Sequence, residues 1–369
     1  MMQGNANTLG FTLWMGLWVI MLLALVSQAA APAPLPAADV GFGLFYDFAL
    51  CKHPEHEQLY FRQMAEYGCN TATVYCRSAA DIVRQVDTAL EEGLLDPRFP
   101  VFLLGPDVEK TAAYLAEARG LAKHADRWPE FLLYGPDEPK IEQEQRVRDF
   151  AEQAQAQGLR CGTAIFPASA FQYSEVLDIC MVHAGSHYSR ALVEKIAHEG
   201  HEFWAYTGST LKGKNKLMDR YFTGLWMWKF HPRVFLAWAY HTHMEETPEG
   251  PEASPGLVGW REGIIDYRVL RALEEAIATY PRDPSAAEDS SKTARAAQWL
   301  QELEDSIPAD ASHGVPWTSF REKDLEQGRN YEWTWYDTAI PPVANFDLIR
   351  MEALFYIEDL TGEKIEIGE

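Results

Sequence analysis

The chain is poor in basic residues. Its 32 Lys and Arg stand against 54 Asp and Glu, a net charge of −22 over 369 residues. A field of that sign repels phosphate backbones and anionic bilayer surfaces, which argues against nucleic acid as a partner. Cysteine is scarce as well. Cys51, Cys69, Cys76, Cys161 and Cys180 include no CxxC pair and no Cys/His spacing of a zinc site. An odd count leaves at least one thiol unpaired within the chain, and Cys161 and Cys180 lie in apolar runs where a thiol serves as a small hydrophobe. Neither a disulfide framework nor a metal site is expected. No lysine or arginine precedes Lys52, and the one long uncharged apolar run covers residues 11–27. Followed by Gln28-Ala29-Ala30-Ala31, that run has the pattern of an export signal without the usual basic start. A retained membrane anchor is the competing reading, marginal for so short a run. The expectation is a signal over 1–31, a proline-stiffened linker over 32–38, and an exported domain, periplasmic or secreted, with no other membrane element.

What the chain does have is 47% hydrophobic and 12% aromatic residues, a globular composition with material for a sizeable core. Short apolar runs rich in β-branched and aromatic residues recur at 40–46, 70–75, 101–104, 131–134, 160–165, 177–183, 202–207 and 234–240. Between them, stretches such as 79–92 and 108–124 carry apolar residues three and four apart. Eightfold strand-helix alternation predicts a (β/α)8 TIM barrel over 39–283, with a doubly wound open sheet as the competing topology. A last barrel helix runs from Trp260 to Tyr280, where Pro281 stops it. Residues 284–369, with helices over 292–307 and 345–360, have too few apolar residues for a separate core and are expected to pack on the barrel as a helical appendage.

Strand four ends in Tyr134-Gly135-Pro136-Asp137-Glu138-Pro139. Catalytic groups of barrels sit where strands end, and the prolines stiffen the turn. Adjacent carboxylates resist ionising together, which keeps one available as a proton donor. The competing reading is helix capping by Asp137. Strand three supplies an internal control, Gly105-Pro106-Asp107, which has the same turn without the Glu-Pro addition. Trp204 and Tyr206 share one face of strand seven, and Trp238 and Tyr240 one face of strand eight, as sugar platforms or as core. His183, His187, His241 and His243 fall at or past strand ends and read as polar lining rather than metal ligands. The Pro/Gly-rich stretch 245–256 is a long loop, either a lid or a solvated acidic excursion. Lys212, Lys214 and Lys216 reverse the local charge after strand seven, as a solvated loop or as a site for sulfate or uronate on an acidic glycan.

These features resemble glycoside hydrolase family 123 and related β-N-acetylgalactosaminidase-like barrels. The resemblance rests on Tyr134 to Pro139, on Glu202-Phe203-Trp204-Ala205-Tyr206-Thr207, and on the tract from Tyr221-Phe222 through Phe235-Leu236-Ala237-Trp238 to Trp260-Arg261-Glu262-Gly263-Ile264-Ile265-Asp266-Tyr267. It implies retaining hydrolysis of a glycan in which the sugar's own 2-acetamido oxygen attacks the anomeric carbon, with no cofactor. Glu138 is then the general acid, Asp137 orients the acetamide N–H, and Tyr206 or Tyr240 supplies a hydroxyl near the acetamide oxygen. Two alternatives stay open: an ordinary glycosidase pairing Glu138 with a distant carboxylate, for which Asp47 is the candidate, and a secreted carbohydrate-binding barrel without turnover.

Overall fold

The computed structural model describes residues 33–47, 53–184, 190–207, 215–280, 287–307, 343 and 345–367. The apolar run 11–27, Cys51, His187, Lys212 and Lys214 lie outside the described residues. Nine parallel strand segments form one sheet among those described, and two of them flank a single residue, Thr73. The sheet is therefore an eight-stranded barrel: β1 (Gly41–Leu44), β2 (Thr71–Ala72 with Val74–Tyr75), β3 (Val101–Leu104), β4 (Phe131–Tyr134), β5 (Cys161–Ile165), β6 (Ile179–His183), β7 (Glu202–Thr207) and β8 (Val234–Ala237). The first half of β2 pairs with β1 and the second with β3, while β8 pairs with β1 and closes the circle. The helices that follow the strands are α1 (Glu57–Glu66), α2 (Ala79–Glu91), α3 (Val108–Leu121), α4 (Glu144–Ala156), α5 (Pro167–Tyr173), α6 (Arg190–His198), α7 (Lys216–Tyr221) and α8 (Pro255–Thr279).

Both faces of such a sheet are covered, so its strands are apolar nearly throughout, and parity decides which layer each side chain joins. Phe102, Leu132, Ala164, Met181, Trp204 and Leu236 fill the barrel interior. Their neighbours Val101, Leu133, Val182, Ala205 and Phe235 face the helices. Four cysteines, Cys69, Cys76, Cys161 and Cys180, are buried free thiols. Burial pushes the last three up to about 12, which leaves them unreactive thiols.

The structure corrects three expectations about connections. Strand eight stops at Ala237; the Trp238–Ala239 peptide is cis, and a single helical turn covers Tyr240–His243. The stretch read as a long loop is an antiparallel hairpin, Met244–Thr247 against Gly250–Ala253, held to α1 by Gln63 donating to the Pro251 carbonyl at 3.0 Å. The expected linker is tied down: Ala33–Pro34 pairs in parallel with Ile365–Glu366, and Arg268 donates to the Leu35 and Pro36 carbonyls at 2.7 Å. The described part of residues 284–369 contains helices α9 (Ala287–Ser306) and α10 (Phe346–Thr361) besides the strand Ile365–Glu366. Arg220 of α7 bonds Asp266 of α8 at 2.6 Å and Asp347 of α10 at 2.8 Å, and Arg350 of α10 returns to Asp266 at 2.6 Å. A buried carboxylate is costly unless paired, and here two guanidiniums share it. No helix among the described residues is long and apolar enough to cross a membrane.

Candidate active site

The turn after β4 is fastened to β5. The Gly135 N–H donates to the Gly162 carbonyl at 2.9 Å, the Glu138 N–H to the Ala164 carbonyl at 2.9 Å, and the Thr163 hydroxyl to the Pro136 carbonyl at 2.8 Å. Gly135 backs onto α4 so closely that a Cβ there would stand 2.8 Å from the Phe150 ring. At Glu138 the backbone has φ +43°. A left-handed residue with a Cβ costs about 1–2 kcal/mol, and here it turns the carboxylate toward the barrel mouth. There the Tyr206 hydroxyl donates to Glu138 Oε1 at 2.6 Å.

Asp137, the neighbouring carboxylate, takes a different partner. It is exposed and accepts a hydrogen bond from the Tyr134 hydroxyl, whereas Glu138 is half-buried. Burial, and then the adjacent carboxylate, push Tyr206 and Tyr134 well above the ordinary phenol value, so both hydroxyls remain donors. Tyr75, at the end of β2, is also raised, by burial first and then by Asp47 and Asp137, which places Asp47 at the same mouth.

Aromatic rings complete the wall. Trp238 is half-buried with its ring 5.4 Å from Phe45, and Phe45 meets Tyr134 edge-on at 5.9 Å. His183 lies edge-on to Tyr206 at 4.9 Å. His241 lies edge-on to Trp238, and burial holds it below the ordinary histidine value.

Other candidates are placed elsewhere. Trp204 is 1% exposed, one inward position deeper than Tyr206, and its indole N–H donates to Glu202 at 3.1 Å, at the opposite end of β7. It belongs to the barrel filling rather than to the mouth. Tyr240 is fully buried outside the barrel, its hydroxyl on Glu246 at 3.0 Å and its ring on Tyr46 and Tyr60. Strand alternation does not reach it because β8 has already ended. His243 is fully buried, with Nδ1 3.1 Å from the Ala239 carbonyl and Nε2 3.4 Å from Asp219. Burial pushes that Asp219 up to about 6 despite the imidazole. Lys216 is exposed at the start of α7. No group of three or more His, Cys, Asp or Glu that could hold a metal ion occurs among the described residues. Sequence reasoning missed Tyr75, although the strand-end rule that singles out Tyr134 applies equally to it.

Beside Asp137, outside the barrel and between α3 and α4, lies a cavity of about 600 Å³ walled by Gly105–Asp107 and Gly135–Asp137.

No family model and no curated protein matches the chain. Similar solved structures include the dihydrodipicolinate synthase from Acinetobacter baumannii, at 12% identity and TM-score 0.35, covering 86% of this chain and 98% of that one. A prophage protein of the dihydrodipicolinic acid synthase family from E. coli K12 has 13% identity and TM-score 0.38, with 87% and 98% covered. A candidate alpha-L-fucosidase from Bacteroides thetaiotaomicron has 11% identity and TM-score 0.32, with 49% and 80% covered.

Proposed function

We propose that the chain is a retaining glycoside hydrolase of the family 123 kind, releasing β-linked N-acetylhexosamine, with N-acetylgalactosamine the favoured sugar. The observation that carries the reading is the division of labour at one turn: Glu138 faces inward onto Tyr206 while Asp137, its chain neighbour, is exposed and accepts from Tyr134. Two carboxylates adjacent in sequence cannot flank a sugar from opposite faces, as the two-carboxylate scheme requires, but they can serve a substrate that supplies its own nucleophile.

In the first step Glu138 gives its proton to the departing glycosidic oxygen while the acetamido oxygen bonds to the anomeric carbon from the other face. Asp137 accepts the acetamide N–H and offsets the positive charge that develops on the oxazolinium-like ring. In the second step the Glu138 carboxylate takes a proton from water, whose oxygen bonds to the anomeric carbon as the acetamido oxygen leaves. Tyr206 holds Glu138 and Tyr240 is engaged by Glu246, so neither is placed for the acetamide oxygen. That role passes to Tyr75, whose hydroxyl has no hydrogen-bond partner among the described residues. Trp238 is the platform for the sugar's C–H face.

The test compares nitrophenyl β-N-acetylgalactosaminide with the galactose and glucose analogues, which lack the acetamide. Turnover confined to the acetamido sugar is expected. Equal turnover of all three would transfer the nucleophile's role to Asp47, and binding without release would make the barrel a carbohydrate-binding protein.

A further inference from the structure

The contact between Asp219 and His243 takes no part in the chemistry above. Both side chains are fully buried, and the second Asp219 carboxyl oxygen has no hydrogen-bond partner among the described residues. Such a pair contributes little stability, since apolar residues of similar volume often serve as well. Helix α7, which carries Asp219, is fastened to α8 without it, by Arg220 on Asp266 at 2.6 Å, and Thr223 just beyond α7 donates to the Trp260 carbonyl at 3.1 Å.

What the pair supplies is a donor with a direction. His243 Nδ1 lies 3.1 Å from the Ala239 carbonyl, which can only accept, so this nitrogen carries its hydrogen. Nε2 then faces Asp219 at 3.4 Å, where one proton satisfies both atoms whichever of them holds it. Ala239 directly follows Trp238, whose N–H donates to the Thr207 carbonyl at 2.9 Å. The Tyr240 N–H donates to the carbonyl of Phe45, the residue whose ring packs on the indole. Thr242 also donates to the Ala239 carbonyl, at 2.8 Å from its hydroxyl, but it belongs to the same turn. The imidazole reaches outward and ties that turn to α7. We infer that Asp219 and His243 are positioning residues for Trp238: Asp219 aims the imidazole, the imidazole holds the Ala239 carbonyl, and the segment that carries the indole is thereby fixed at the mouth. The consequence for turnover rests on the glycosidase reading, in which Trp238 is the sugar platform.

Two readouts test this, and the first needs no substrate. Fluorine NMR of the fluorotryptophan-labelled chain gives a Trp238 resonance, identified by its loss in Trp238→Ala. Asp219→Leu and His243→Leu should each shift or broaden it. Asp219→Asn, whose amide can donate to Nε2, should return it close to the parent position. On nitrophenyl β-N-acetylgalactosaminide the two leucine variants should lower kcat/KM by about tenfold, and Asp219→Asn should recover most of that loss. In the Trp238→Ala background the same leucine substitutions should change kcat/KM by less than about twofold, because the group they position is gone. Should neither leucine variant fold, Asp219→Ala carries the same expectations. A Trp238 resonance unmoved by these variants overturns the inference, as does an equal factor of loss with and without the indole, which a merely structural pair would give. A resonance that responds in a chain that hydrolyses no acetamido substrate removes the glycosidase reading and leaves the positioning of Trp238 standing.

Discussion

The turns that follow β3 and β4 begin with the same three residues, Gly-Pro-Asp, and use them differently. After β3, Asp107 is extended at φ −159° and its carboxylate accepts the Lys110 N–H at 2.8 Å, so it caps α3 directly. After β4, Glu138 and Pro139 follow the aspartate, and α4 begins only at Glu144, behind a 3-10 turn at Ile141–Gln143. Asp137 caps nothing and bonds the Tyr134 hydroxyl instead. In both turns the glycine is pressed against the next helix: a Cβ would meet Thr111 Oγ1 at 1.9 Å from Gly105 and the Phe150 ring from Gly135. The shared tripeptide thus packs the turn. The two added residues, ending in a proline that cannot extend a helix backwards, separate the carboxylates from the helix and display them.

The largest expected effect separates the two aspartates. Asp137→Ala should lower kcat/KM on acetamido substrates by about 100-fold or more, for good and poor leaving groups alike, with little change in melting. The main effect of Asp107→Ala should be on melting, a drop of about 2–4 °C from loss of the helix cap. Kinetic losses of the same size in both variants would break the comparison and return Asp137 to a structural role.

A second, smaller effect concerns the backbone. Asn tolerates the left-handed region better than Glu, so Glu138→Asn should abolish protonation of the leaving group while raising stability by about 0.5–1 kcal/mol in chemical denaturation. Lowered stability would mean that the Tyr206 bond outweighs the strain, and that Glu138 is held there by its partner rather than by the turn.

The barrel was readable because buried parallel strands appear as short apolar runs. Those at 101–104, 131–134 and 202–207 coincide with β3, β4 and β7. Strand eight was overrun because Trp238 and Tyr240 continue the aromatic alternation after the chain has turned. The hairpin Met244–Thr247 with Gly250–Ala253 was hidden by its proline and glycines, and the pairing of Ala33–Pro34 with Ile365–Glu366 is too short to leave any pattern. At the site, strand ends locate Asp137, Glu138 and Tyr206 without assigning their partners. Parity gives the face of a strand and not the height along it. Trp204 and Tyr206 share a face, yet two residues of rise, about 6.6 Å, separate barrel filling from mouth.

The smallest effect is a titration that checks the control arm of the comparison. The Lys110 ammonium, and then its backbone N–H, hold the Asp107 carboxyl below the ordinary aspartate value. With the folded value lowered, the unfolded chain binds more protons between the two values, so stability rises with pH across that interval. The contribution is fully present above the ordinary value of about 4 and is lost as pH falls through the lowered one. It is small and salt-sensitive, because both partners are exposed. Carboxyl carbon NMR should find the Asp107 midpoint below the ordinary value, moving upward in Lys110→Ala, where the ammonium is gone and the backbone N–H remains. A midpoint at or above the ordinary value would mean that Asp107 does not cap α3 in solution. The β3 turn would then no longer represent the capping use of the tripeptide, and the contrast with Asp137 would lose its reference.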